Sequence, residues 1–592
     1  MKTKTIRKWT AVLSFMASVC VFVAGFLTLK NVNAYAEEPQ TATTFETVEG
    51  FAMGFGADIR AADGDGGIRF TVNVSSAAFE NIAELYPNYQ KVTFYTLMTR
   101  TDKFSIDELT MENAATSDYI IKNTATVQPD GTTVTSYKTT YVTSDENNYS
   151  VELAARGVAV VVDADGLAHN VYATTNDNVR SMHQLAVSAV QSGKVSADTY
   201  LKKYFTAQSA TEKSYIQTSV ASTELALTLP KLQAEESVVA AFANNAKLTA
   251  DFTSGVKLTN LSAVTSATLG DEKSVTLYTD KNNVYTVSVK TVTKAISKAE
   301  DLRYFQYSTD TAKAFSGYYV LTKNIDASNY VHDYAVSVEA NGLGGVEAAS
   351  TANTGLTGTF DGQGYTIDSI TFGQRNGLFG IIGNTTKDAV VKNVAITNVQ
   401  FTGLGAHEVI LAQAIPQNSY VRLENVYIHT PKITGNLGGI FAYMVASSRV
   451  KMNNCIFNIT NVKGTTEFNR YGSLASKFHT YNYGHEFCST LNWTNTYVIS
   501  KSPIVTNSSN SCYADAKNVS TIDSTWNRFN LYRYETPEEM AQGYEGTLTY
   551  DATNGYAYTQ SQNKHDFKTF TDSGFWTMGQ DGIPVWNNLM NK

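Results

Sequence analysis

Two dipeptides, His407-Glu408 and His485-Glu486, begin the His-Glu-x-x-His pattern that sets two imidazoles one helical turn apart beside a glutamate base. Neither completes it, because Leu411 and Ser489 stand where the second histidine belongs. Zinc-peptidase chemistry of that type is not encoded. A glycoside hydrolase needs two carboxylates facing each other across a cleft. Asp361, Asp368, Glu408, Glu424 and Glu486 are available, but their positions do not pair them on one face. A polysaccharide lyase needs a base and cations that neutralise a uronate. Arg422 and Lys451 each stand three residues before an aligned asparagine and so share an offset that suits such cations. Solvated residues on a strand ladder would show the same spacing.

Other residues point to recognition. The stretch from Phe468 to Cys488 is dense in Tyr471, His479, Tyr481, Tyr483 and His485, and aromatic rings on a loop are suited to sugar faces. Trp493, Trp526, Trp576 and Trp586 all lie near the carboxyl end. The last two also suit a cap over the open end of a repetitive fold, where they would protect edge strands. Asp63-Gly64-Asp65-Gly66 and Asp163-Ala164-Asp165-Gly166 carry clustered carboxylates. Neither continues into a glutamate-terminated calcium loop, whereas Asp-Gly suits hairpin turns. Cys455, Cys488 and Cys512 lack Cys-x-x-Cys spacing and a paired histidine, so small buried side chains are expected, with at most one disulfide. No metal or other cofactor is expected.

The elements that would position these residues follow from composition and period. The chain has 592 residues, 43% hydrophobic and 17% charged, with a net charge of −8. Several packed cores are possible, and the basic footprint of a non-specific nucleic-acid binder is missing. Met1–Lys8 is basic, Trp9–Leu29 is an uncharged apolar run, and Ala34-Tyr35-Ala36 is a small-x-small site, which together predict a cleaved secretory signal over 1–36. An uncleaved amino-terminal anchor is the other reading of the run. Either places the body outside the cytoplasm, with no membrane contact once the signal is removed.

From 46 to 205 the text alternates at strand period, as in Ile68–Val74 and Val151–Val162. It then changes to helical period, with Val179, Met182, Leu185, Ala186, Ala189 and Val190 on one face after Asn178 and before Gly193. A β-sandwich closed by one helix is predicted. A polar stretch, 207–223, leads to a small immunoglobulin-like β unit over 225–293, whose hairpin joins Val275–Tyr278 to Val284–Val287. From 296 to 592 the chain repeats. Val390–Ile396, Val421–Ile428, Val450–Phe457 and Leu491–Val498 align on Asn393, Asn425, Asn454 and Asn495. A second set, Gly377–Gly380, Val409–Ala412, Gly438–Phe441 and Gly472–Ala475, precedes them. This pattern predicts a right-handed parallel β-helix of the pectate-lyase-like kind with a carboxyl-terminal cap. The asparagines would stack as an amide ladder, and Lys392 would meet Glu424 as an ion pair.

The first part resembles an accessory module of exported proteins from Gram-positive gut bacteria, on Gly56–Arg60, Gly67–Phe70, Ala154–Val158 and Val179–Met182. Its Arg60, Arg69, Arg156 and Arg180 could meet as a carboxylate site or brace the fold separately. The repetitive part resembles GLUG-type β-helix repeats of bacterial surface proteins, on Gly317–Asp326, Gly358–Ile367, Asn376–Gly380, Phe575–Thr577 and Gly582–Trp586. The resemblance implies a mainly β, secreted or cell-surface protein that binds glycans or host or envelope components without catalysis. A polysaccharide lyase or glycosidase on the β-helix, and a passive envelope spacer, are the alternatives.

Overall fold

The structure, a computed structural model, describes residues 45–60, 66–143, 145–193, 201–305, 314–332, 355–373, 377–402, 409–430, 439–445, 447–459, 475–479, 490–500, 533–551 and 555–590. The leader, Asp63–Asp65, Cys488, Cys512 and Trp526 lie outside them. The described chain is mainly β and divides into two compact units, Met1–Thr206 and Ala207–Lys592.

In the first unit, the alternation read from Ile68 and Val151 forms strands Gly66–Val74 and Leu153–Val162. Among the described residues, nine strands join into one sheet, where the sequence suggests the two of a sandwich. That sheet turns its side chains onto itself: the Tyr137 hydroxyl donates to the Tyr95 carbonyl at 3.0 Å, and Thr139 donates to Thr96 at 3.0 Å. Phe51, Phe70, Val72 and Phe94 are fully buried within it. The predicted helix is Met182–Ser192, capped by Ser181 rather than Asn178, and Gly193 ends it at a φ of 67°. Val179 belongs instead to a short strand paired with Leu153–Val162. A helix the periodicity did not reveal, Ser76–Leu85, also packs in this unit, so one helix was too few.

Asn178 has another task. Its side-chain amide donates to the carbonyls of Gly54 and Gly56 at 2.8 and 2.9 Å, which fixes the turn around the exposed Phe55. The Asp163 turn closes a hairpin between Leu153–Val162 and Ala168–Thr174. Its carboxylate accepts from the Asp165 and Leu167 amides and meets His169 at 2.8 Å. Arg156 is buried against Asp107 and the Phe45 ring, while Arg180 pairs with Asp177. These two arginines brace different contacts and do not converge on one carboxylate site.

In the second unit, the predicted hairpin is present as Glu272–Thr279 and Asn283–Val292, with Val275 opposite Val287. The small β part starts earlier than 225, because Lys213–Gln217 runs parallel beside Asn283–Val292. A three-stranded sheet packs with the larger one over Leu227, Val256, Leu258, Leu277 and Val287. The polar composition of 207–223 hid that strand, since its Ser214 is buried and its Tyr215 and Gln217 bond to neighbours through polar groups. The chain continues directly into the repetitive region: Lys294–Ile296 pairs parallel with Tyr318–Leu321, and Gln363 donates to the Tyr215 hydroxyl at 2.7 Å.

Four long strands, Ala389–Thr397, Tyr420–His429, Arg449–Asn458 and Thr490–Ile499, then lie parallel in the register expected from their asparagines. The second set also stacks as aligned. Leu378 and Phe379 donate to Ile410 and Leu411, and Phe441 is level with Ala475. Its regular strands begin at Ala412 and Phe441, a few residues later than the apolar runs suggested. Inward residues such as Val391, Val394, Leu423, Val426 and Met452 fill one core, closed at its amino end by Phe305, Phe315, Phe360 and Phe379.

All four aligned asparagines have left-handed backbone, at φ of 53°, 50°, 52° and 46°. Asparagine tolerates this conformation better than most residues, and one such residue turns a strand sharply. Each strand therefore bends at its asparagine, and the side chains bond in two pairs, the Asn425 side-chain oxygen being buried without a hydrogen-bond partner among the described residues. Asn425 donates to Asn393 at 3.0 Å, and Asn495 donates to Asn454 at 3.3 Å.

The carboxyl-terminal segment departs from expectation. Beyond the bends, Ala395, Tyr427, Ile456 and Tyr497 form an outward apolar column across the four strands. Met540, Phe567, Phe570, Trp576 and Trp586 cover it. The Trp586 indole donates to the Gly364 carbonyl at 2.9 Å, and Thr366 donates to the Asn588 carbonyl at 2.6 Å. Trp576 and Trp586 thus cover the flank of the stack and tie back to its early turns, rather than capping its open end. The physical reason is the column itself: large apolar side chains facing outward lose free energy to water unless something lies over them.

Candidate functional site

The aromatic stretch proposed for ligand contact is mostly outside the described residues: Tyr471, Tyr481, Tyr483 and His485 all are. His479 is the last residue of Ala475–His479, level with Val445 of the neighbouring strand.

The other candidates fall on the four long strands before their bends. Val421, Leu423, Val450 and Met452 point inward and are buried, so strand alternation turns Arg422 and Lys451 outward, and both are exposed. They are direct neighbours in register. The rows on either side also read off the repeat. One row holds Tyr420, Arg449 and Thr490, and the other holds Lys392, Glu424, Asn453 and Thr494. Arg449 is exposed and its guanidinium lies over the Tyr420 ring, 5.6 Å from its centre.

The electrostatics of this face are uneven. Arg422 reaches Asp388 at 3.6 Å. Lys392 is level with Glu424 as expected, but it turns to Asp361 at 3.7 Å instead. The predicted Lys392–Glu424 pair is therefore replaced by one with the preceding turn, because Asp361 lies level with Lys392 on the opposite neighbouring strand. Arg422 and Lys451 place like charges side by side, an arrangement that costs stability on a sheet.

The carboxylates weighed for hydrolysis have other work. Asp361 is almost fully buried and accepts from the Tyr318 hydroxyl at 2.6 Å, the Gln363 amide at 2.9 Å and Asn393 at 3.0 Å. Burial, with the charge of Asp361 adding to it, pushes the Tyr318 hydroxyl far up from its ordinary value. Asp368 accepts from Ser369 at 2.8 Å, Thr397 at 2.6 Å and Asn398 at 2.7 Å. Glu424 is half-buried beside Lys392, while Glu408 and Glu486 lie outside the described residues. Asp361 and Asp368 therefore hold turns together, and Asp368 also lies level with Asp326 on the neighbouring parallel strand. Among the described residues, no three His, Cys, Asp or Glu side chains gather where they could hold a metal ion.

Arg449 and Tyr420 are the residues that reading the sequence missed. Each stands five places before its asparagine, so the offset count that singled out Arg422 and Lys451 contains them too. What the face can do chemically is present exposed cations beside an aromatic ring and amide and hydroxyl groups. No family model matches this chain, and no curated protein matches it.

Proposed function

We propose that this is an exported, non-catalytic binding protein whose repetitive region is a right-handed parallel β-helix of the GLUG-type kind, presenting an outer face to glycans or to host or envelope components. The small β unit before it is read as immunoglobulin-like, and the first unit as an accessory module. The observation that carries the reading is the use of side chains on the stack. Asp361 and Asp368 are consumed by turns, while Arg422, Arg449 and Lys451 are exposed in register. Such a surface supports recognition by charge and ring contacts.

A lyase is the second reading, favoured by the side-by-side Arg422 and Lys451, which would neutralise a uronate. A polysaccharide and mucin array on the purified chain separates the two, with retention and release of unsaturated or reducing ends scored together. Retention without release is expected. Release of unsaturated ends would replace this reading with the lyase, and no retention of any glycan or envelope component would favour a passive spacer.

A further inference from the structure

The flat face before the asparagine bends carries more information than a general capacity to bind. Its exposed cations are Arg422, Arg449 and Lys451. Arg449 and Lys451 are on one strand, two residues apart and on the same side, and Arg422 is beside Lys451 on the next strand. Of the three, Arg422 alone has a carboxylate within ion-pair distance among the described residues, Asp388. The whole chain is net negative, at −8. The three cations share this face with Asp388 and with Glu424, two residues beyond Arg422 on the same side, so the face carries a positive excess of one on a molecule that is net negative.

The arrangement has a direction. Strands in a parallel sheet are about 4.8 Å apart, so Arg422 and Lys451 set a charge repeat along the stack close to the length of one sugar residue. Tyr420, half-buried beneath the Arg449 guanidinium, adds a ring beside these cations. Two residues beyond Lys451, Asn453 lies level with Thr494 on the next strand, and both are exposed and uncharged. Cations first, then neutral polar groups, suit a polymer with anionic groups and hydroxyls along its length.

We infer that this face binds an acidic polysaccharide laid along the strand stack, with Arg422, Arg449 and Lys451 receiving its carboxylates. The inference rests on the binding reading given above and names its ligand class. It also accounts for the like-charge neighbours: an in-register cation pair that costs stability in the free protein is relieved when an anion lies across it. Both side chains can donate charge-assisted hydrogen bonds to carboxylate oxygens, with the guanidiniums able to do so in bidentate fashion.

The test is affinity electrophoresis and calorimetry of the full chain against polygalacturonate, chondroitin sulfate, neutral xylan and a single-stranded DNA. Polygalacturonate should be bound, with affinity falling as salt is raised, and xylan should be bound weakly or not at all. The Arg449→Gln/Lys451→Gln double variant should lose about tenfold or more in affinity, and Lys451→Glu should lose more. Because these positions are exposed, an unchanged thermal unfolding profile checks that the variants fold. Preference for chondroitin sulfate over polygalacturonate would replace the carboxylate with a sulfate, and equal binding of the DNA would overturn the saccharide assignment. Binding of xylan unaffected by the variants would overturn this face as the site while leaving the general binding reading intact. No binding to any of these glycans would overturn this inference and leave the binding reading to host or envelope components alone.

Discussion

The Asp361 carboxylate accepts a hydrogen bond from the Asn393 side-chain amide at 3.0 Å, and so supplies the acceptor at the start of the asparagine ladder. Asn393 in turn accepts from Asn425. An amide in a stack needs an acceptor on one side and a donor on the other, and the first copy has no preceding asparagine. Asp361 takes that place, and its second oxygen receives Tyr318 and lies near Lys392. The charged end of the ladder is compensated within the fold.

Replacing Asp361 with alanine should therefore be costly. It strands the Tyr318 hydroxyl, the Asn393 amide and the Gln363 backbone amide in a half-buried place and leaves Lys392 without its partner. A loss of about 3 kcal/mol is expected, read as a shift in the urea midpoint of the unit that contains it. A loss under about 0.5 kcal/mol, the scale of ordinary surface changes, would show that the ladder does not depend on this end.

At Asn393 the backbone and the side chain can be separated. Its φ of 53° favours glycine over alanine, while both replacements remove the ladder bonds. Asn393→Ala should be less stable than Asn393→Gly by about 1 kcal/mol. Equal stabilities would mean that the left-handed bend contributes no strain at this position.

Trp586→Ala removes the hydrogen bond to Gly364, the stacking on Phe575 and the edge contact with Trp576. A cost of about 3–5 kcal/mol is expected, with the flank segment opening first. Limited proteolysis should then cut within 536–590 before the four long strands. Cleavage no faster than in the unaltered chain would show that Trp586 does not hold the segment down.

Acid should weaken the second unit in a defined window. His332 is fully buried, donating from Nε2 to the Leu378 carbonyl at 3.1 Å while Tyr330 donates to its other nitrogen at 3.0 Å. Burial pushes it down to about 4. His565, between the Tyr497 and Tyr534 hydroxyls and beside Phe567 and Asp566, is also pushed down to about 4 by burial. Unfolded histidine titrates near 6.5, so the unfolded chain binds more protons between these values. Stability is full above about 6.5 and falls as the pH drops toward 4, by on the order of 3 kcal/mol for His332. Urea midpoints measured at pH 7.5, 5.5 and 4.5 should decline. In His332→Gln that decline should be smaller, and an equal decline would place the effect elsewhere.

Cys455 should be inert in the native protein. It is fully buried, and burial pushes its thiol up to about 12. Iodoacetamide followed by peptide mass analysis should leave Cys455 unmodified in buffer and modify it in urea. Rapid modification in buffer would contradict its place in the core.

The repeat was legible from spacing because stacked turns copy one another. Once Asn393, Asn425, Asn454 and Asn495 are aligned, each strand must place its inward residues over the same core, and a slip by one residue would turn Val394 or Val426 to solvent. The same logic put Ile410 over Leu378 and Ala475 over Phe441. The Asp163 turn and the hairpin at Asp280 were legible too, from short-range turn chemistry.

Contacts across the chain were not legible in this way. That Lys392 turns to Asp361 rather than Glu424 depends on a choice between two neighbours at similar distance, and alignment cannot make it. Nor could the nine strands of the first unit be read as one sheet, because alternation names the covered side of a strand and not the strand beside it. Arg449 and Lys451 were countable from their offsets, yet their exposure beside Arg422 is a property of the assembled face. Period alone determined which residues lie level with one another. The tertiary structure decided which faces are covered, since Trp586 meets Gly364 across 222 residues, and only the path of the folded chain brings such positions together.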